Sequence, residues 1–222
     1  MANLSHSYSS IKMYDNCPHR YWHQRVIKSV VDQGSDATLY GERVHKALED
    51  RLRDGTELSS ETRHLEDLMQ VVESKAAALG GELHLEQELT LNAELTPTGW
   101  WDDDAWLRSK LDVLILYNDS ATVLDWKTGK RRPDFSQLEL FALQTFAHYP
   151  QVNNISTMFV WTKENALDTK KFKREQVPDM WTRLLDQIRR IELSLEHDKW
   201  PAKPSGLCNW CPARHLCDYA QV

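Results

Sequence analysis

Two apolar runs separated by a three-residue turn most constrain how this chain can fold. The runs are Lys110–Tyr117 and Ala121–Lys127, and the Asn118–Ser120 turn between them is rich in turn-forming residues. Leu, Val and Ile occupy both alternating faces of each run, which is typical of strands that are buried on both sides. The pattern predicts a hairpin within a central sheet.

Besides Lys110 at the start of the first run, charged side chains occupy three positions in these apolar runs. Asp112 lies in the first run, and Asp125 and Lys127 lie in the second. Because strand side chains alternate faces, Asp125 and Lys127 point the same way, and pairing of the runs brings Asp112 near Asp125. Metal-assisted phosphodiester cleavage needs such carboxylates for a divalent cation and an ammonium that orients a water molecule. The alternative is a solvated charge pair on an edge strand, but the apolar neighbours indicate burial, and a buried Asp needs a partner or a metal.

Apolar periodicity predicts the other elements of an α/β chain. In residues 83–91, strict alternation predicts a half-buried strand with Leu83, Leu85, Leu89 and Leu91 on one face. Residues 155–161 and 166–174 are predicted to be antiparallel strands. The predicted helices cover residues 7–26, 40–52, 60–79, 136–148 and 178–196.

Four cysteines lie at opposite ends of the chain, at Cys17, Cys208, Cys211 and Cys217. In a cytosolic protein a C-x2-C pair indicates a metal or redox element rather than a disulfide. Four thiolates suit either Zn²⁺ or an iron–sulfur cluster, with His215 as a competing ligand, and four unrelated buried thiols are the alternative. A zinc ribbon normally has two C-x2-C pairs, so the single pair favours an iron–sulfur cluster.

Composition indicates a globular chain of one domain. A length of 222 residues allows one sizeable core, and the net charge of −6 is not that of a typical nucleic-acid-binding protein. Basic clusters at 127–132 and 170–174 are local exceptions, although a charge run is often only a solvated face. No apolar run approaches the length of a membrane span and the N-terminus lacks a signal pattern, so we expect a cytoplasmic protein with no membrane partner.

Six motifs, in this order along the chain, resemble the PD-(D/E)XK nuclease superfamily in its RecB-like branch with an iron–sulfur cluster. That branch includes the nuclease domain of AddB and the small CRISPR-associated exonucleases. Two positions depart from the usual pattern: Leu111 stands where proline is frequent and Phe141 where tyrosine is usual. The motifs are Ser7–Tyr21 with Cys17, Gly41–Glu49 with His45, Lys110–Val113, Asp125–Lys130, Gln137–Ala142, and the C-terminal cysteine triplet.

The resemblance implies a restriction-endonuclease-like core, in which helices flank a central mixed sheet. It also implies a single domain over residues 1–222. Within that domain, residues 1–30 and 200–222 would be joined by a 4Fe–4S cluster on the four cysteines. Nearly the whole chain takes part in the resemblance.

The resemblance also implies a role for individual residues. His45, Asp112, Asp125 and the backbone carbonyl of Trp126 would hold Mn²⁺ or Mg²⁺, and the imidazole favours Mn²⁺. Lys127 would position the attacking water, Gln137 would orient Lys127 or the phosphate, and Gln144 is a weaker alternative to Gln137. The residues expected beyond this set are Lys130, toward a phosphate, and one further acid, for which Glu88 is preferred over Glu86.

The function implied is that of a metal-dependent DNA exonuclease acting on single strands or duplex ends. The settings implied are recombination, repair, CRISPR adaptation or phage DNA processing. The alternative is a non-catalytic nucleic-acid-binding module stabilised by an iron–sulfur cluster or by zinc. Complete acidic and lysine motifs favour the enzyme, whereas cleavage polarity and oligomeric state stay open.

Overall fold

A five-stranded mixed sheet forms the centre of the computed structural model, which describes residues 4–220. The strands follow the chain in the order β1-β2-β3-β4-β5. Only β3 and β4 are parallel to each other, and the other three neighbouring pairs are antiparallel. The predicted mixed α/β architecture is confirmed. The strands are β1 (Glu82–Leu91), β2 (Leu107–Tyr117), β3 (Ser120–Lys127), β4 (Asn154–Trp161) and β5 (Ala166–Lys173).

Six α-helices within residues 4–220 surround this sheet, and they cover the regions of the five predicted helices. The largest difference is at α4, which begins at Glu66 rather than at residue 60, and the predicted helix over 7–26 is divided at Cys17. The third helix begins at Asp36 rather than at Tyr40. Its start is stabilised by Ser35, whose side chain accepts a hydrogen bond from the backbone N–H of Thr38. The helices are α1 (Tyr8–Asn16), α2 (Pro18–Tyr21), α3 (Asp36–Asp54), α4 (Glu66–Ala78), α5 (Phe135–His148) and α6 (Val177–His197).

The two faces of the sheet carry different helices. Helices α3 and α4 pack on one face through an apolar cluster that includes Val44, Met69, Val113 and Trp126. Helix α5 connects the parallel strands β3 and β4 and packs on the other face. Because α5 follows β3 after a short loop, its first turn lies close to the carboxyl end of β3.

Strand β1 changes its buried face at Glu86. Leu83 and Leu85 pack with the α3 and α4 cluster, whereas Leu89 packs with the α5 cluster. The prediction that these leucines share one face is therefore wrong. The reason is that Glu86 has a left-handed backbone, with φ of +52°, which interrupts the alternation of a regular strand.

The two ends of the described chain lie side by side because α1 packs on α6. The Tyr14 hydroxyl donates a hydrogen bond to the carbonyl of Arg190 at 2.8 Å and lies 2.6 Å from Ser194 Oγ. The predicted cluster subdomain, 1–30 with 200–222, includes residues 1–3 and 221–222, which lie outside the described residues. None of the helices within residues 4–220 has the length and apolar character needed to cross a bilayer.

Candidate active site

The pairing between strands β2 and β3 ends next to Asp112 of β2. Their pairing runs from the turn to Val113 opposite Leu124. Beyond that pair, Asp112 Oδ2 accepts a hydrogen bond from the backbone N–H of Trp126 at 2.7 Å. The other oxygen, Oδ1, lies 3.1 Å from Nδ1 of His45 on α3. One carboxylate thus links β3 to the helix on the adjacent face.

Three side chains at this point form a group that fits a divalent cation. One ligand atom from each of His45, Glu86 and Asp112 lies within 4.8 Å of the other two. One imidazole nitrogen with carboxylate oxygens is a donor set that suits Mn²⁺ and accommodates Mg²⁺. The residues present therefore fit the cation that the sequence motifs imply.

The third acidic residue that the structure places at this point is Glu86, whereas the sequence pattern favoured Glu88. Leu85 pairs with Val113 and Gln87 pairs with Leu111, so Glu86 stands opposite Asp112. Glu88 is exposed and stands opposite Lys110. The left-handed backbone of Glu86 is the kind of strained conformation that persists at functional sites.

Lys110 neutralises the Glu86 carboxylate. Its Nζ lies 2.6 Å from Glu86 Oε2, and this hydrogen bond raises the pKa of the Lys110 ammonium despite partial burial. Sequence reasoning did not identify Lys110 as part of the site. Its position two residues before Asp112, on the same side of β2, was the available signal.

A second polar group sits at the end of β3, beside the first. Asp125 and Lys127 lie on one face of β3, as the alternation of a strand predicts, and this is the face that contacts α5. Lys127 Nζ lies 2.5 Å from Asp125 Oδ2 and donates to Gln137 Oε1 at 3.0 Å. Gln137 Nε2 donates to Asp125 Oδ1 at 3.1 Å, which closes the triangle. Gln137 is held in the first turn of α5, whose N-cap residue Asp134 accepts a hydrogen bond from the N–H of Ser136 at 3.1 Å.

Burial controls the electrostatics of this second group. It raises the pKa of the Asp125 carboxyl to about 6, which the Lys127 ammonium opposes and the nearby Asp112 charge reinforces. Within residues 4–220, Asp125 Oδ2 is buried and has no hydrogen-bond partner apart from its ion pair with Lys127. Such an under-satisfied buried oxygen is suited to a cation. Lys127 also lies over the Phe159 ring, 5.0 Å from its centroid, a contact that the sequence did not signal.

The negative charge of Asp112 affects the pKa of the His45 imidazole. Burial lowers the pKa of its imidazole, but the hydrogen bond and the negative charge of Asp112 outweigh this effect and raise the pKa overall. The Asp112 carboxylate therefore favours the protonated form of the His45 imidazole.

Three other predicted residues occupy distinct environments. The Trp126 side chain is buried against α3 and α4, so only its backbone faces the site. Lys130 is exposed on the loop after β3. Gln144 is fully buried and donates to the carbonyls of Leu89 and Leu107 at 3.2 and 3.1 Å, which gives it a structural role and leaves Gln137 as the site glutamine.

The four cysteines line one cavity between the chain ends. Cys17 lies at the junction of α1 and α2, and Cys208, Cys211 and Cys217 come from the C-terminal segment. Backbone N–H groups of Lys203 and Ser205 donate to the sulfurs of Cys17 and Cys208 at 3.4 and 3.3 Å. Burial raises the pKa of the Cys211 thiol, and the neighbouring Cys17 and Cys208 add to this effect. The structure therefore brings all four thiols to one cavity, whereas His215 is exposed.

Comparison with known proteins finds similar structures and a matching family. A putative exonuclease from Eubacterium rectale has a similar fold, with a TM-score of 0.57, 14% identity, and coverage of 99% of this chain and 91% of that chain. An alkaline exonuclease from Laribacter hongkongensis aligns with a TM-score of 0.37 and 9% identity over 88% of this chain and 92% of that chain. No curated protein matches this sequence. The family model of the PD-(D/E)XK nuclease superfamily matches residues 5–218, and the chain belongs to that superfamily.

Proposed function

We propose that this protein is a metal-dependent DNA exonuclease that hydrolyses phosphodiester bonds in single strands or at duplex ends. The proposal rests on two neighbouring sets of polar side chains in a member of a nuclease superfamily. The Asp125, Lys127 and Gln137 triangle lies next to the cation-compatible group of His45, Glu86 and Asp112.

In this proposal His45, Glu86 and Asp112 hold Mn²⁺ or Mg²⁺, and Asp125 and the Trp126 carbonyl complete the ligand set. A divalent cation at such a site lowers the pKa of a water molecule and offsets the negative charge that develops on a phosphate. The mixed nitrogen and oxygen donors favour Mn²⁺ over Mg²⁺, which prefers oxygen ligands and retains several waters.

Lys127 positions the attacking water and stabilises the negative charge of the transition state. Its ammonium is held by Asp125 and Gln137 from two sides, so it needs little reorganisation when charge develops on the phosphate. Gln137 contributes by fixing this lysine from the first turn of α5.

The test is digestion of end-labelled single-stranded and duplex DNA, each with Mg²⁺ and with Mn²⁺. We expect Lys127→Met to lower the cleavage rate by about a hundredfold or more, the size of effect seen when one transition-state donor is removed. The exposed Lys171 on the outer strand β5 offers a matched control, and Lys171→Met should cleave at the wild-type rate. A wild-type protein that binds DNA but cuts it no faster than Lys127→Met would instead be a non-catalytic binding module.

We further propose that Cys17, Cys208, Cys211 and Cys217 hold a 4Fe–4S cluster that ties the chain ends together. The shared cavity and the two N–H···S contacts support a thiolate-bound group, since such hydrogen bonds stabilise charge on the sulfurs. Free thiols of this kind also suit a cytoplasmic protein.

Iron and sulfide analysis, together with visible absorbance, tests the cluster. We expect Cys208→Ala to lose colour and to lower the yield of folded protein together. Colourless wild-type protein with one bound Zn²⁺ would show that the cavity is a zinc site, and full thermal stability of Cys208→Ala would contradict the structural role.

A further inference from the structure

An aromatic ring with two neighbouring cations lies on the surface beside the candidate active site. The Tyr40 ring centroid is 4.9 Å from Nζ of Lys163 and 5.9 Å from Cζ of Arg43. Tyr40 and Arg43 belong to the first half of α3, whereas Lys163 lies in the turn between β4 and β5. Tyr40, Arg43 and Lys163 are called the Tyr40 cluster below.

Two contacts place the Tyr40 cluster next to the catalytic strand. The backbone N–H and the hydroxyl of Thr162, which precedes Lys163, donate to the carbonyl of Lys127 at 2.9 and 3.2 Å. A Cβ atom on Gly41, the residue after Tyr40, would lie only 3.0 Å from Thr128 Oγ1, so α3 approaches the loop after β3 closely. On the same helix, His45 follows Gly41 by about 6 Å, which is roughly one turn.

Exposed cations lie around the Tyr40 cluster together with the exposed carboxylates of Glu42 and Glu164. The backbone N–H of Arg131 donates to Glu164 at 3.4 Å, which brings the loop after β3 close to the β4–β5 turn. Although the net charge of the chain is −6, Lys163 and the loop residues Lys130 and Arg132 are exposed cations. No carboxylate among residues 4–220 forms an ion pair with any of these three. Among the described residues, Arg43 forms an ion pair only with Glu61, at 3.5 Å with both side chains exposed, and such a surface pair contributes little binding energy. The cations of this surface are therefore available to an anionic ligand.

We propose that the Tyr40 cluster is a subsite for a single-stranded DNA segment that enters the active site. The ammonium of Lys163 and the guanidinium of Arg43 would contact backbone phosphates, and the half-buried Tyr40 ring would stack on an unpaired base. Aromatic rings with interleaved cations are the usual means of binding single strands without sequence preference. The inference rests on the proposed nuclease function, because that function makes DNA the ligand.

The experiment is fluorescence anisotropy of a fluorescein-labelled oligothymidylate in EDTA, which prevents metal-dependent cleavage during the measurement. We expect Lys163→Met and Arg43→Gln each to reduce the slope of log affinity against log salt by about 0.7, the value for one phosphate contact on a single strand. Tyr40→Leu should weaken binding by about fivefold or more without changing the slope. The exposed Lys75 on α4 supplies the control, and Lys75→Met should bind as wild type does.

Several results would overturn this inference. They are no binding by the wild-type protein, wild-type affinity in all three cluster variants, or an equal loss in Lys75→Met. A fourth contradicting result comes from thermal denaturation of each variant. If the affinity falls only in proportion to the unfolded fraction, the Tyr40 cluster serves to attach α3 to the β4–β5 turn and does not bind DNA. A blunt duplex that displaces the oligothymidylate with equal affinity would refute the preference for an unpaired base.

Cleavage assays separate this inference from the proposed function. A wild-type protein that binds the oligothymidylate through the Tyr40 cluster but never cleaves DNA would contradict the nuclease proposal and support the subsite. Metal-dependent cleavage that is unchanged in Tyr40→Leu, Arg43→Gln and Lys163→Met would support the nuclease and contradict the subsite.

Discussion

Replacing Asp125 by Asn should stabilise the metal-free protein at neutral pH, although Asp125 is central to the candidate active site. The carboxylate is buried, and its two oxygens contact only Lys127 and Gln137 among the described side chains. A buried charge with incomplete compensation is costly, and Asn removes that charge while keeping the shape of the side chain.

The size and sign of the effect follow from the pKa of Asp125. Burial raises this pKa from 3.8 to about 6, with Lys127 opposing and Asp112 reinforcing the shift. Because the folded state binds the proton more tightly than the unfolded state, the stabilising contribution is fully present below about pH 4 and is lost as pH rises through about 6. The loss amounts to about 3 kcal/mol at roughly 1.4 kcal/mol per pKa unit. Asn resembles the protonated acid, so the variant avoids this loss.

Urea unfolding in EDTA between about pH 4 and about pH 8 measures the effect. We expect Asp125→Asn to exceed the wild type by up to about 3 kcal/mol above pH 7 and to match it near pH 4. The exposed Asp186 on α6 provides the control, and Asp186→Asn should show no pH-dependent difference. A variant less stable than the wild type at neutral pH, or a difference that is the same at both ends of the range, would refute the reasoning.

Three further substitutions test separate parts of the structure. Lys110→Met should tighten Mn²⁺ binding in calorimetric titrations, because the ammonium at 2.6 Å from Glu86 competes with the cation; unchanged or weaker binding would contradict this. Tyr14→Phe should lower the free energy of unfolding by about 1–2 kcal/mol in chemical denaturation, since it removes the hydroxyl contacts between α1 and α6. A change near zero would show that these contacts do not contribute to stability. Asp134→Ala should lower the free energy of unfolding by about 1 kcal/mol, because it removes the N-cap of α5. Since Gln137 lies in that first turn, the substitution should also lower kcat more than it changes KM. An unchanged kcat would argue that the cap does not position Gln137.

The elements that sequence predicts well are those whose signal is local. Apolar stripes with the helical or strand period locate the strands and most helices to within a few residues, although α4 begins six residues later than predicted. The meeting of Asp112 with the end of β3 is also predictable, because a tight turn leaves the hairpin few alternative registers; in the structure this turn is Asn118–Asp119, with Ser120 already paired to Tyr117. One short turn therefore determines the position of one acid relative to the DxK motif.

The choice between Glu86 and Glu88 depends on information that is not local. The connection between β1 and β2, residues 92–106, is long and does not determine the register of that pair. Strict alternation places Glu86 and Glu88 on one face, so periodicity alone cannot separate them. The left-handed backbone of Glu86 distinguishes the two acids in the structure. The sequence does not predict that conformation, because this position lacks glycine or another residue type that favours it.

Neighbouring positive charges and hydrogen-bond donors allow the acids of the candidate active site to lie close together. Glu86, Asp112 and Asp125 carry three negative charges at most. Lys110 lies 2.6 Å from Glu86, and Lys127 lies 2.5 Å from Asp125.

The remaining acid, Asp112, is satisfied by the backbone N–H of Trp126 and by His45, whose pKa Asp112 raises against the effect of burial. Each carboxylate thus has its own internal donor. A divalent cation must displace these donors or share the oxygens with them, so the affinity of the site depends on Lys110 and His45 as much as on the acids. This is why the loss of Lys110, a residue that binds no metal, is expected to strengthen metal binding.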